Sequence, residues 1–258
     1  MAPSNRTIII TGASSGMGRL TALKLARRGA NVVLAARSAP ELATLAAEIE
    51  AFGGQALAVP ADVNRQEDVD RLVAAALERF GAIDVLINNA GFGVFDPLAQ
   101  ADFGEIERMM SVNYLGPVRC MQAVLPVMRQ AGRGHIVNIA SVAGLVSSPN
   151  TGAYSATKHA LVAASQALQA ELYGSDITCS LVCPGPVDTP FFKRADYNKM
   201  SPLARIFGRL DPDTVAEVIV EVTETRPALR TVPRAFYIFA LASKLFPGLT
   251  RHVLGRTG

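Results

Sequence analysis

Tyr154 and Lys158 stand four residues apart in the run Tyr154-Ser155-Ala156-Thr157-Lys158, which opens an Ala- and Leu-rich stretch with a helical pattern. Four residues is about one helical turn, so the phenol and the ammonium share a face. A free phenol titrates near ~10, too high to exchange protons readily at neutral pH, and a neighbouring ammonium favours the phenolate and lowers that value. The pair reads as proton-transfer machinery; the plain alternative is a surface tyrosine with an unrelated lysine. Ser141, thirteen residues before Tyr154 at the end of an apolar strand, argues for the first reading by adding a hydroxyl beside the pair. A second arrangement lies near the N-terminus, where Thr7-Ile8-Ile9-Ile10 runs into Thr11-Gly12-Ala13-Ser14-Ser15-Gly16-Met17-Gly18. Gly12 lets the chain turn, Gly16 lets backbone approach a pyrophosphate, and Gly18 lets the next helix pack close to the strand. The free N–H groups and positive end of that helix would then face phosphates. An ordinary tight turn is the alternative.

Positioning these groups needs a regular scaffold, and the chain supplies one. Short β-branched runs near 6–11, 31–36, 56–60, 83–88, 134–140 and 177–183 alternate with helical patterns near 17–29, 39–52, 65–80, 102–130 and 152–174. Strands such as Val32-Val33-Leu34-Ala35-Ala36 are apolar throughout, as expected when both faces are covered. The rhythm predicts an α/β fold: a Rossmann-like, doubly wound parallel sheet flanked by helices on both faces. It stops after Pro184, and the remainder reads as irregular and Pro-rich.

Composition removes several classes. The chain has 258 residues, half of them hydrophobic and 18% charged, which is enough to bury a sizeable core. Lys+Arg 25 against Asp+Glu 22 leaves +3 with no long run of one sign, so no nucleic-acid partner is expected. Cys120, Cys179 and Cys183 cannot form a disulfide framework, and with no histidine at ligand spacing no metal is expected. The sequence shows neither a signal-peptide pattern nor ~20 consecutive apolar residues, so a cytoplasmic protein is expected. The strand that ends Ala35-Ala36-Arg37-Ser38 carries no acid where a dinucleotide fold places one for a ribose 2′-OH. Arg37 can instead pair with a 2′-phosphate, with Ser38 adding a hydrogen bond, which prefers NADP(H) over NAD(H). A solvent-facing arginine is the alternative.

Together these motifs resemble the short-chain dehydrogenases/reductases in their single-domain form, from Thr7 to about Thr189. The resemblance rests on Thr11-Gly12-x-x-x-Gly16-x-Gly18, Asp62-Val63, Asn88-Asn89-Ala90-Gly91, Asn113, Ser141, Tyr154-x-x-x-Lys158 and Pro184-Gly185-x-x-x-Thr189. It implies that Tyr154 is the general acid in ketone reduction and the base in alcohol oxidation, and that Ser141 bonds the substrate oxygen. Lys158 would tune Tyr154 and hold the nicotinamide ribose, and Asn113 would hold a water in a relay to the lysine. For Asn113 the alternative is a bond to local backbone. The resemblance further implies a cofactor site built from Gly12, Ser14, Ser15, Gly16, Met17, Gly18, Arg37, Ser38, Asp62, Val63, Asn89, Ala90, Gly91, Tyr154, Lys158, Pro184, Gly185, Val187 and Thr189. In it Asp62 would take the adenine amino group, Asn89 to Gly91 would lie beside the adenosine ribose, and Thr189 would bond the carboxamide.

The reading is one domain over 1–258: a cofactor-binding and catalytic core at 5–189, a substrate lid at 190–210 and a hydrophobic C-terminal extension at 230–258. The lid stretch carries Phe191, Phe192, Tyr197, Met200, Leu203, Ile206 and Phe207 with Lys193, Arg194, Lys199, Arg205 and Arg209, and suggests a greasy carbonyl substrate. The usual C-terminal tail of tetrameric family members is missing, so a homodimer is expected ahead of a tetramer. The apolar run from Ala235 leaves two readings open: a helix covering the substrate cleft or a partner subunit, or a helix lying on a membrane surface through Arg234, Lys244 and Arg251. The expected activity is NADP-dependent hydride transfer between nicotinamide and a ketone, steroid or 3-oxoacyl type of carbonyl or its alcohol, a carbonyl reductase in one direction. The rival is a catalytically idle NADP(H)-binding regulatory or membrane-surface protein on the same scaffold.

Overall fold

A computed structural model describes residues 5–195 and 208–255. Its parallel sheet is built from β1 (Thr7–Thr11), β2 (Asn31–Ala36), β3 (Gln55–Pro60), β4 (Val85–Asn88), β5 (Gly134–Ile139), β6 (Ile177–Pro184) and β7 (Leu229–Val232). The order across the sheet is β3-β2-β1-β4-β5-β6-β7. β1 pairs with β2 at Ile9↔Val33 and with β4 at Ile9↔Leu86, so strand order reverses beside β1. That reversal opens a crevice at the carboxyl ends of β1 and β4, where open α/β sheets bind ligands.

Alternation along each strand feeds two cores. Ile8 and Ile10 of β1 join Val32, Leu34 and Ile87 in one cluster, which takes Leu25 of α1 (Gly16–Arg27), Leu42 of α2 (Ala39–Ala51) and Ile219 of a later helix. Ile9 joins Val33, Leu86 and Ile136 in the other, against α3 (Gln66–Phe80) and the helices that follow β4. The predicted helix at 102–130 is two: α4 (Phe103–Met110) and α5 (Gly116–Ala131), joined by a π-helical turn at Ser111–Leu115. α6 (Gly152–Glu171) follows β5, and a short α7 (Phe191–Ala195) follows β6.

The described residues beyond Pro184 correct the sequence reading, because they hold further helices and a seventh strand. α8 (Pro212–Thr225) starts at Asp211, whose carboxylate accepts from the Asp213 N–H, and buries Val215, Ala216, Ile219 and Val220. It lies along α1, with Lys24 paired to Asp213 at 3.0 Å and Arg28 to Glu224 at 2.9 Å. It delivers β7 beside β6, in register at Cys183↔Thr231. α9 (Ala235–Leu245) and α10 (Pro247–Gly255) close the fold.

Candidate active site

The glycine loop is held by hydrogen bonds between β1 and the end of β4. Gly12 has φ +66, a left-handed conformation, and a Cβ there would sit 2.8 Å from the Ala90 Cα. A Cβ on Gly18 would sit 2.4 Å from the Gly12 carbonyl oxygen, so the first turn of α1 rests directly on the loop. The Thr11 hydroxyl accepts from the N–H groups of Asn89 and Ala90, both at 3.1 Å. Asn89 answers by donating its Nδ2 to the carbonyls of Thr11 at 2.9 Å and Gly12 at 3.1 Å. The Asn89 carboxamide nitrogen is thus committed to the loop itself. Thr11, absent from the expected site residues, is its counterpart; a threonine ending an otherwise aliphatic strand was the available signal.

This loop forms one wall of a cleft with about 1310 Å³ of open space. Ser15 caps α1 without a side-chain bond and the first turn holds no acid, and Ser14, Ser15, Gly16 and Met17 line the cleft. Arg37 and Ser38 reach the cleft from the end of β2; Arg37 is exposed and makes no ion pair among the described residues. Asp62 and Val63 enter it after β3, with the Asp62 side chain accepting from the Asn64 N–H at 3.0 Å. Gly12, Asn89, Ala90, Gly91 and Thr189 of the expected set line it as well, Gly18 does not, and Arg108, which sequence reasoning did not name, joins them.

A second cleft, of about 1130 Å³, shares Met17, Asn89, Gly91, Thr189 and Phe191 with the first. Ser141, Tyr154 and Lys158 all line it, as do Pro184, Gly185 and Val187. Ser141 follows β5 and accepts from the Ala143 N–H at 3.1 Å, which fixes its hydroxyl. Tyr154 and Lys158 lie in the first two turns of α6, 7% and 4% exposed. The Lys158 ammonium donates to the Ile139 carbonyl at 2.9 Å and lies 5.9 Å from the Tyr154 ring centroid. Burial pushes the Tyr154 phenol above its ordinary value, opposed by a hydrogen bond with Ser141. Burial pushes the Lys158 ammonium down to about 8. Burial is the largest influence on the phenol here, and the opposing pull comes from the serine. Burial likewise pushes the Cys179 and Cys183 thiols up to about 12, in keeping with inert core residues.

The π-helical turn carries Asn113 into the interior, where it is fully buried. Such turns are frequent at functional sites. Asn113 Oδ1 accepts from the Phe92 N–H at 3.0 Å, and Nδ2 donates to the Phe92 carbonyl at 2.8 Å and the Thr157 hydroxyl at 3.1 Å. Its partners are distant in sequence, not the local backbone of the alternative reading. Thr157, adjacent to Lys158, was also missed; it ties Asn113 to α6 and donates to the Tyr154 carbonyl at 2.8 Å.

The rest of the second cleft is mostly apolar, with Asn89, Ser148, Thr151 and Thr189 as the polar exceptions. Phe95 and Phe191 hold the Tyr154 ring edge-on, with centroids at 5.6 and 5.7 Å. Phe192, Phe236, Phe239 and Leu254 line the cleft as well. Of the expected lid, Phe191 and Phe192 are thus placed, and Arg209 pairs with Asp188 at 2.8 Å. Tyr197, Lys199, Met200, Leu203, Arg205, Ile206 and Phe207 lie outside the described residues, as do the side chains of Lys193 and Arg194. α9 and α10 cover this cleft from within the same chain, through Phe236, Phe239 and Leu254.

Comparison with known proteins bears on the whole arrangement. A family model described as short chain dehydrogenase matches residues 6–199. A ketoacyl reductase from Nostoc is 35% identical over 223 residues, covering 86% of this chain and 77% of that protein. A crystal structure of a short chain dehydrogenase/reductase from Burkholderia phymatum in complex with NAD superposes with a TM-score of 0.87 at 30% identity, covering 97% of this chain and 96% of that one. An alcohol dehydrogenase from the archaeon Thermococcus sibiricus, complexed with 5-hydroxy-NADP, gives a TM-score of 0.77 at 32% identity, over 88% and 94% of the two chains.

Proposed function

The chain belongs to the short-chain dehydrogenase/reductase family of oxidoreductases, and from that premise we propose that it is an NADP(H)-dependent reductase of hydrophobic ketones, acting in reverse on the matching secondary alcohols. One observation carries the reading: Ser141, Tyr154 and Lys158 line an apolar cleft that opens into the glycine-loop cleft. The ketoacyl reductase from Nostoc supports the same substrate class.

The loop cleft fits a dinucleotide. Uncapped N–H groups at the start of α1 suit a pyrophosphate. Asp62, fixed at one oxygen by Asn64, suits an adenine amino group. Arg37, with Ser38 beside it, suits a 2′-phosphate, and that is the ground for NADP(H). When bound, the nicotinamide supplies or accepts the hydride.

The protein's own residues handle the proton and the charge. A phenol raised by burial is protonated at neutral pH, so Tyr154 starts as the acid that a ketone oxygen needs. As that oxygen becomes an alcohol, Tyr154 Oη gives up its proton and the Ser141 hydroxyl donates a second bond to it. Lys158, mostly ammonium below its value of about 8, stabilises the phenolate left behind. Asn113 holds Phe92 and Thr157 together, and through Thr157 it fixes the start of α6. We assign the enzyme to the cytoplasm, as a homodimer. The test is one assay: NADPH and NADH titrated with steroid, aryl, aliphatic and 3-oxoacyl ketones, beside Tyr154→Phe. NADPH-dependent reduction lost in the variant is expected; NADPH binding without turnover of any ketone or alcohol would mark an idle binding protein.

A further inference from the structure

α9 presents two greasy faces, and only one is used. Phe236, Phe239 and Ala240 face inward, the two phenylalanines lining the substrate cleft. The opposite side holds Tyr237, Ile238, Leu241 and Leu245 in solvent, with Phe246 at the turn into α10. Ile238 is 70% exposed, Leu245 73% and Phe246 60%. Single exposed apolar residues are ordinary, but a contiguous set on one helix face marks an interaction surface. The spacing Arg234, Tyr237, Ile238, Leu241, Lys244, Leu245 is that of one helical stripe, apolar with a cation at each end.

The charges carried by α9, its N-terminal flank and α10 have a single sign. Arg234, Lys244 and Arg251 are exposed, and the sequence holds no Asp or Glu after Glu224. At ~1.5 Å per residue the helix is about half as long as a bilayer core is thick, so it can lie in an interface but not cross it. Among the described residues no helix is long and apolar enough to cross a membrane.

We propose that the outer face of α9, with the turn into α10, docks on an anionic lipid surface, its apolar side chains among the acyl chains and Arg234, Lys244 and Arg251 at the phosphates. A second copy is the poorer occupant. Symmetric pairing through this stripe would bring Arg234, Lys244 and Arg251 against their own copies with no carboxylate on either helix to answer them, whereas anionic headgroups answer each cation. The same helix walls the substrate cleft, so the surface that meets lipid adjoins the cavity that takes an apolar substrate. The docking itself does not depend on the reductase reading.

The experiment is flotation of the full chain with phosphatidylcholine vesicles and with phosphatidylcholine–phosphatidylglycerol vesicles, at low and high salt. Flotation with the anionic vesicles, weakened by salt and at least ~10-fold above that with phosphatidylcholine alone, is expected. Ile238→Glu with Leu245→Glu removes it while circular dichroism and thermal midpoint hold. Arg234→Ser with Lys244→Ser, which leaves the apolar stripe intact, weakens it by about thirtyfold. No flotation of the native chain, or flotation indifferent to the cation pair, overturns the proposal. So does a sedimentation mass that halves in the Ile238, Leu245 variant, since a second copy would then be the occupant. Turnover of water-soluble ketones without vesicles, measured beside this, separates a failure of docking from a failure of the reductase reading.

Discussion

The two clefts that meet at Met17, Asn89 and Thr189 are built from different material. The loop cleft is braced on backbone: Gly18 lies against the Gly12 carbonyl, and the Thr11 hydroxyl and Asn89 amide bond main-chain groups across the loop. The apolar cleft is side chain against side chain, with Phe95, Tyr154, Phe191 and Phe192 meeting edge to face. Backbone contacts have no slack, whereas rings on rotatable bonds can move aside. The first cleft is therefore rigid and particular about its ligand, and the second is adaptable and selects mainly by apolar bulk.

A matched pair of substitutions breaks this contrast most sharply. Gly18→Ala puts a Cβ 2.4 Å from a backbone oxygen, and Gly93→Ala puts one 2.6 Å from the far end of the Phe191 ring. Gly18→Ala should cost at least ~100-fold in cofactor affinity, the scale of a displacement of about 1 Å, and ~1–3 kcal/mol of stability. Gly93→Ala should leave cofactor affinity intact and cost about 1 kcal/mol, because Phe191 can swing. Cofactor fluorescence titration and thermal melts check both, and equal losses in the two would refute the contrast.

Arg37→Ala probes the particular end of the same cleft. Loss of a charge-assisted, bidentate contact of ~1.5–3 kcal/mol should raise the KM for NADPH roughly 10- to 100-fold and leave that for NADH unchanged. Phe239→Ala probes the adaptable end. It should raise KM about tenfold for large apolar ketones, with small ketones unaffected, since only the large ones use that wall. The mildest effect is in pH. The site needs Lys158 as an ammonium, so reductive kcat/KM should fall as pH rises through about 8. At that pH it should stand about twofold below its neutral value, as half the ammonium is lost. A profile flat to well above that point would remove Lys158 from the charge balance.

Legibility in the sequence follows the same division. The strands from β1 to β6 were readable because each is an apolar run between turn residues, and the predicted 31–36 coincides with Asn31–Ala36. The glycine loop and the Tyr154–Lys158 pair were readable because their function lies in local spacing. What stayed hidden depends on partners far along the chain. β7 is four residues set between Pro227 and Pro233, and only pairing with β6 makes it a strand. α8 gave a signal that was passed over: the Asp211 cap, Pro212, and apolar residues at helical spacing. The π-helical turn leaves no mark in composition, yet it aims Asn113 at Phe92 and Thr157. Asn89 was visible as a polar residue after β4, but nothing local says that its amide binds the glycine loop. The apolar cleft gathers Phe95, Phe191, Phe236 and Leu254 from across the chain, so no motif reports it.

The central claim is that the meeting point of the two clefts is a reductase site in which Tyr154 supplies the proton. The most direct measurement is NADPH oxidation with a large apolar ketone by the native chain and by Tyr154→Phe. The account predicts turnover in the native chain and a loss of ~10²–10⁴-fold in the variant, with NADPH affinity within about twofold. A variant that turns over as fast as the native chain would contradict it.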